Sequence, residues 1–316
     1  MTEKQKRNTV FPGSDPWTGN RKRPKLVDSK DEVPSVSGLS RPLTNRLIDI
    51  PIKPLSSYGA VPIPLLEGSP WNHYQSCYSL ELGGPIAVVR KISATKDLFT
   101  MHSFSSSGAD KKLYMLRQLK HANLLASLEI FSFQDAHYVI SEHTEVSCEE
   151  FIVARPDEIQ LAAIIRQVID AISYLVSQNL VHGSITCSNI LLTKDGVIKI
   201  ANYENSTERS SENAFEDVKA LGQVMKQLME KGTVKGRLGL RQPSDWSQEA
   251  VDFLSLTMTA SPTKLAEHPF LENSPQCHEL VWLVSLAQRT AYWFYSVSAR
   301  AKTRTQYKHA AVISSE

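Results

Sequence analysis

Apolar and polar positions alternate with a period of two in the first half of this chain, and the spacing turns helical in the second. Tyr74 to Leu82 and Pro85 to Ile92 read as two strands, with Gly83-Gly84 as the turn between them. Leu113, Leu116 and Leu119 then share one face, which predicts a helix over 110–120. Two further strands are predicted at 126–133 and 137–141. Leu161, Ile164, Ile165, Val168, Ile169, Ile172 and Leu175 recur at 3.6-type spacing and predict a buried helix. Ile190 to Leu192 and Val197 to Ile200 flank Lys194-Asp195-Gly196, whose Asp-Gly suits a tight hairpin. After Glu216 the pattern is helical to the end of the chain. A strand-rich half followed by a helix-rich half predicts an α+β fold of two lobes.

The ends differ from this pattern. Residues 1–60 are rich in Pro, Ser, Lys and Arg without an apolar period, as in a disordered arm. Arg21-Lys22-Arg23-Pro24-Lys25 within it is a cluster of the nuclear-import type, or a plain solvated charge run. The predicted division is a basic arm at 1–60, a strand-rich lobe at 61–145, a helical lobe at 146–275, and a helix with a basic tail at 276–316. Leu280 to Ala299 is apolar, but Gln288 and Arg289 in its middle argue against a membrane span. Trp282, Leu286 and Trp293 follow helical spacing, as in a helix packed on the protein surface or one that meets a partner or a membrane surface. No transmembrane segment is expected.

Composition narrows the function classes. The 316 residues carry a formal charge of only +2, against the strongly basic balance of a dedicated nucleic-acid binder. Cys77, Cys148, Cys187 and Cys277 lie far apart with no C-x-x-C pair, which argues against a zinc or disulfide framework. A reducing compartment, cytoplasmic or nuclear, fits. The first ten residues hold no apolar signal core, so no secretory signal is expected.

The candidate chemistry sits in Val181 to Asn189, VHGSITCSN, and in Asn202-Tyr203-Glu204. Here the chain resembles the eukaryotic protein kinase family, closest to its Ste20-like serine/threonine branch. That family carries H-R-D-L-x-x-x-N and, further on, D-F-G. His182, Ile185 and Asn189 keep their places in the first motif, and Asn189 to Asn202 spans 13 positions, as in the family. Asp217 to Gly222, DVKALG, resembles the family's D-V-W-S-L-G helix, whose Asp braces the catalytic loop. SQEAVDFL at 247–254 and His268 to Leu271 resemble late helices, so the similarity runs from about Leu66 to Leu271. The resemblance implies a two-lobed fold with a nucleotide cleft between the lobes.

The same resemblance marks what has been replaced. Ser184 stands for the catalytic Asp and Thr186 for the phosphate-facing Lys; neither is a base at neutral pH. Asn202 stands for the metal-binding Asp, which leaves Asn189 as the one remaining family metal ligand. Glu204 is the nearest acid, either a substitute ligand or a solvated loop residue. Aligning Ala87-Val88-Val89-Arg90 with V-A-I-K puts Arg90 at the anchoring Lys, and Lys112 falls where its Glu partner belongs. Gly68 is the one glycine left near a glycine loop, or a plain turn. The connection from Asn202 to Asp217 is 15 positions and lacks A-P-E. Gly68, Arg90, Glu142, Thr144 and Leu191 would line what remains of a nucleotide site.

The resemblance therefore implies a catalytically deficient kinase-like protein, a pseudokinase. It would act as a scaffold or allosteric regulator of a protein partner such as an active kinase. No cofactor is required by this reading; ATP binding without metal is compatible with it, and Mg²⁺ is poorly supported. The alternative is a weak or unconventional ATP-dependent serine/threonine kinase using Asn189, Glu204 and Arg90. An incomplete gene product would also account for the short connection.

Overall fold

Residues that alternate in the first lobe bury both faces of one sheet. In the computed structural model, which describes residues 63–93, 96–230, 239–272 and 277–290, six strands pair in the order β1-β5-β6-β4-β3-β2. They are β1 (Leu65–Glu67), β2 (Tyr74–Glu81), β3 (Pro85–Lys91), β4 (Leu98–Ser105), β5 (Ser127–Phe133) and β6 (Ala136–Glu142). β1 runs parallel to β5, and the other pairs are antiparallel. Ile130 and Val139 point into the main core, while their neighbours Phe131 and Ile140 join Tyr74, Ala87, Val89 and Met101 on the opposite face. The arm at 1–60, with its basic cluster, and the tail beyond residue 290 lie outside the described residues.

The expected hairpin, the strand pair at 127–142 and the helix after residue 110 are all present, the last as α1 (Asp110–Gln118). The strand β4 is an addition to the sequence reading. Its side chains alternate between Thr100 and His102 on one face and Phe99 and Met101 on the other, so neither face repeats as a plain apolar stripe. β4 pairs with both β3 and β6 in the middle of the sheet.

The helical lobe is built on one buried helix. A short strand β7 (Val146–Ser147) leads to α2 (Cys148–Ala154), and then α3 spans Glu158–Ser177. Asp157 starts α3 with a capping box: its carboxylate accepts from the Gln160 backbone N–H at 2.8 Å, and the Gln160 side chain accepts from the Asp157 N–H at 3.0 Å. Leu161, Ile164, Ile165, Val168, Ile169, Ile172 and Leu175 are each 0% exposed, so the predicted stripe is the centre of the core. Among the described residues α3 is the one helix long and apolar enough to cross a membrane, and its burial explains that composition.

Short strands carry the cleft. β8 (Leu180–Val181) is followed by the hairpin of β9 (Ile190–Leu192) and β10 (Ile198–Ile200), and β11 (Thr207–Glu208) returns to pair with β8. The short connection between Asn202 and Asp217 thus contributes a strand. α4 (Glu216–Met229), α5 (Gln248–Leu256), α6 (Pro262–Ala266) and α7 (Pro269–Glu272) complete the lobe, and residues 281–290 are helical. The lobes are tied at Asn123, whose side-chain amide donates to Gln167 Oε1 and to the Ile198 carbonyl, both at 3.1 Å.

Candidate functional site

The loop from Val181 to Asn189 is held by a buried carboxylate. Asp217, in the first turn of α4, accepts from the His182 N–H at 2.7 Å and from the Gly183 N–H at 2.8 Å. His182 turns its Nε2 to the Ala201 carbonyl at 2.9 Å. Asn189 then donates through Nδ2 to the Ser184 carbonyl at 2.8 Å and to Ser184 Oγ at 3.1 Å. Ser184 therefore occupies a formed and braced position, with a hydroxyl where a general base would need a carboxylate or imidazole. Thr186 bonds the neighbouring Ser188 hydroxyl at 2.9 Å and is exposed.

At the place of the metal ligands, two amides bond each other. Asn189 Nδ2 is committed to Ser184, so its Oδ1 faces Asn202 and accepts from Asn202 Nδ2 at 3.0 Å. The same Nδ2 donates to the Gly83 carbonyl at 2.5 Å. Asn202 reaches this position with φ +64°, a left-handed conformation that Asn adopts more readily than most residues. The β2–β3 turn is thereby latched onto both loops. A Cβ added at Gly83 would lie 3.2 Å from Ala201 Cβ and 3.4 Å from Asn202 Nδ2. Gly83→Ala, at φ +67°, should accordingly lower stability by about 1–2 kcal/mol, read as a reduced urea midpoint.

Behind the latch, an acid and an imidazole have moved into contact. His102 on β4 faces Glu204, with Nε2 at 3.7 Å from Oε1. Glu204 is 5% exposed and lines the cavity, so it is not a solvated loop acid. Lys112 of α1 lines the same cavity, with its Nζ 5.3 Å from the Phe104 ring centre. Tyr203 is buried and its hydroxyl lies 3.3 Å from Ser127 Oγ.

The structure brings together some of the expected residues and displaces others. Thr144, Leu191 and Asn202 line one cavity, with Leu82, Gly83, Ile86, Thr100, His102 and Ser141. Arg90 does not: it sits on β3, exposed, and donates to Gln75 Oε1 at 2.9 Å. Arg90 lies one strand too early for an anchor, because β4 intervenes between β3 and α1. The strand that reaches under the cavity roof carries Thr100 and His102 instead, so Lys112 faces the cavity without Arg90 beside it. Gly68 lies beside β1, where its N–H donates to the Ser132 carbonyl, and the turn over the cavity is Gly83-Gly84. Glu142 turns aside to Lys199 Nζ at 2.9 Å and accepts from the Ala126 N–H. A strand count would have found His102, since the sheet needs one more strand before α1.

The cavity measures about 230 Å³, below the ~300–1,000 Å³ of ordinary small-molecule sites. Mg²⁺ does not fit the residues present: Asn189 and Asn202 are neutral, and the Asn189 Oδ1 that would face a metal accepts from Asn202 Nδ2. No group of three or more His, Cys, Asp or Glu suited to a metal occurs among the described residues.

Burial lowers the pKa of His102; Glu204 opposes this and Lys112 adds to it. Burial also lowers His182, against its bond to the Ala201 carbonyl, and it lowers His121. These imidazoles stay neutral in the fold at pH values where the unfolded chain has begun to protonate. The folded state then binds fewer protons, so acidification favours unfolding. Stability should fall as pH drops through about 6.5 and below. Thermal unfolding between pH 8 and 5 checks this, and His102→Gln should flatten the slope.

Comparison with known proteins agrees with this architecture. The family described as protein tyrosine and serine/threonine kinase matches residues 91–261. The serine/threonine-protein kinase TAO3 of Xenopus laevis is 26% identical over 135 residues, covering 39% of this chain and 15% of that protein. The serine/threonine-protein kinase PAK mbt of Drosophila melanogaster is 30% identical over 103 residues, 32% of this chain and 16% of that protein. The serine/threonine-protein kinase STK11 of Rattus norvegicus is 30% identical over 97 residues, 29% of this chain and 22% of that protein. The chain thus spans less than a quarter of the length of these curated relatives. The matches bear out the serine/threonine resemblance read from residues 181–204.

Proposed function

We propose, for a chain that belongs to the protein tyrosine and serine/threonine kinase family, a role as a binding and regulatory protein without phosphoryl transfer. The observation that carries this reading is the latch: Asn202 Nδ2 bonded to both Asn189 Oδ1 and the Gly83 carbonyl. It fills the corner where the family holds metal and phosphate. Ser184 adds the lack of a proton acceptor, and an imidazole kept neutral by burial, His102, faces Glu204 where the family's Lys–Glu pair would anchor phosphates. A general base and aligned electrostatics each supply orders of magnitude in rate, so their joint loss leaves no efficient route.

A fold retained without these groups supports a scaffold or allosteric role toward a protein partner, such as an active kinase. A reducing compartment, cytoplasmic or nuclear, accords with the free cysteines. The alternative of a weak kinase loses two of its three supporting residues, since Arg90 on β3 is exposed and bonded to Gln75, and Glu204 faces His102.

A thermal-shift titration with ATP, with and without Mg²⁺, tests the ligand side of the reading. The expected result is no metal-dependent stabilisation. A true Mg²⁺–ATP binder at a hundredfold excess over Kd would gain about 2.7 kcal/mol, which the assay resolves.

A further inference from the structure

We propose that the outward face of the helix at residues 281–290 is the contact through which two copies of this chain pair, helix against antiparallel helix, about a two-fold axis. Leu280, Leu283, Val284 and Ala287 are buried and fix the inner side of the helix. Gln288 Nε2 donates to Glu145 Oε2 at 2.6 Å and ties the helix to the connection between β6 and β7, which sets its rotation. Glu279, Trp282, Leu286 and Arg289 then share the outer side, at steps of three, four and three residues. Glu279 stands in the 3₁₀ turn Cys277–Leu280 that leads into the helix, where residues three apart nearly eclipse, so it keeps in line with Trp282. Trp282 is 54% exposed, Leu286 40% and the Glu279 side chain 42%. Arg289 is exposed and has no ion pair among the described residues.

The order of charges selects the occupant. Along the stripe come an acid, two apolar side chains and a base. Residues 279 and 289 are equally far from residue 284, and so are 282 and 286. In an antiparallel pair centred on residue 284, each Arg289 faces the Glu279 of the other copy, and each Trp282 packs on the opposite Leu286. The stripe is its own complement, with an ion pair at each end of an apolar centre. Ser285, beside that centre, is small and returns its hydroxyl to the Val281 carbonyl, so two helices can approach without stranding a polar group. A parallel pair would set acid on acid and base on base. An unrelated protein could cover Trp282 and Leu286, but it gives no reason for opposite charges at equal distances from one centre. A single helix pair of this length falls below the ~1,200–2,000 Å² of a standard interface, so the association is weak and reversible. This inference does not depend on whether the cleft transfers phosphate.

The test is sedimentation velocity of the full chain from about 5 to 200 µM. A monomer–dimer equilibrium is expected within that range, weakened about tenfold or more by Trp282→Ser. Arg289→Glu sets acids against acids at both ends, and Glu279→Arg sets bases against bases, so each variant alone should be monomeric. Mixed in equal amounts the two should pair again, because every end then joins an acid to a base. Both positions are on the surface, so the melting curves should match the parent. Should either reversal melt early, Arg289→Gln takes its place, with pairing weakened about tenfold. Three results would overturn the proposal. The parent stays monomeric at the highest concentration; if it then sediments with phosphatidylserine vesicles, the face belongs to a membrane surface. The dimer forms but survives either charge reversal unchanged. Or both reversals abolish it with intact melting curves, and mixing them does not bring it back.

Discussion

Asp217→Ala should remove about 3 kcal/mol of folding stability, because it strands the buried His182 N–H and the part-buried Gly183 N–H at once. Asp217 is 4% exposed, and its two oxygens take the His182 and Gly183 N–H groups at 2.7 and 2.8 Å. An unmatched buried donor costs roughly 1–3 kcal/mol, and the half-exposed one costs less because water can reach it. Asp217→Asn keeps one acceptor but turns an amide N–H₂ toward the second donor, so its loss should be about half as large. Urea denaturation should show a lower midpoint at an unchanged slope. A change below about 1 kcal/mol for Asp217→Ala would mean that the loop is not braced as described.

Asn202→Asp should do two opposite things. It deletes the donor that holds Gly83 and Asn189, and it puts a carboxylate against their two oxygens. The protein alone should lose about 2 kcal/mol. The same carboxylate lies 13 positions from Asn189 in sequence and beside it in space, which supplies the anionic oxygen that Mg²⁺ favours. ATP with Mg²⁺ should then stabilise the variant, by about 2.7 kcal/mol at a hundredfold excess over Kd, while leaving the parent unmoved. Phosphate transfer should still be absent, since Ser184 remains at the base position. If the variant gains no metal-dependent shift, the latch is not what keeps the metal out.

The two lobes could be read from the chain because their signals are local. The α3 stripe from Leu161 to Leu175 and the Asp-Gly hairpin depend on spacing alone, and both appear as expected. The loop around His182 was legible because His182, Asn189 and Asp217 still do structural work there. What failed was the first lobe's register. β4 buries Thr100 and half-buries His102 toward the cavity, so its pattern lacks the apolar alternation that marks a strand. The anchor lysine that would have identified that strand is gone, and Arg90 on the next strand out took its place in the reading. Glu204 failed for another reason: its partner His102 lies about a hundred residues earlier, a contact that no local pattern reveals.

The central claim is that this cleft cannot transfer phosphate, and a single-turnover assay tests it most directly. The purified chain is mixed in excess with ATP labelled at the γ-phosphate, with Mg²⁺ or Mn²⁺, and labelled protein, peptide and free phosphate are counted over time. The account predicts no label transfer above the protein-free control, and the same null result for Ser184→Ala. Transfer at the ordinary kinase rate of about 1–100 per second, abolished by Ser184→Ala, would contradict it.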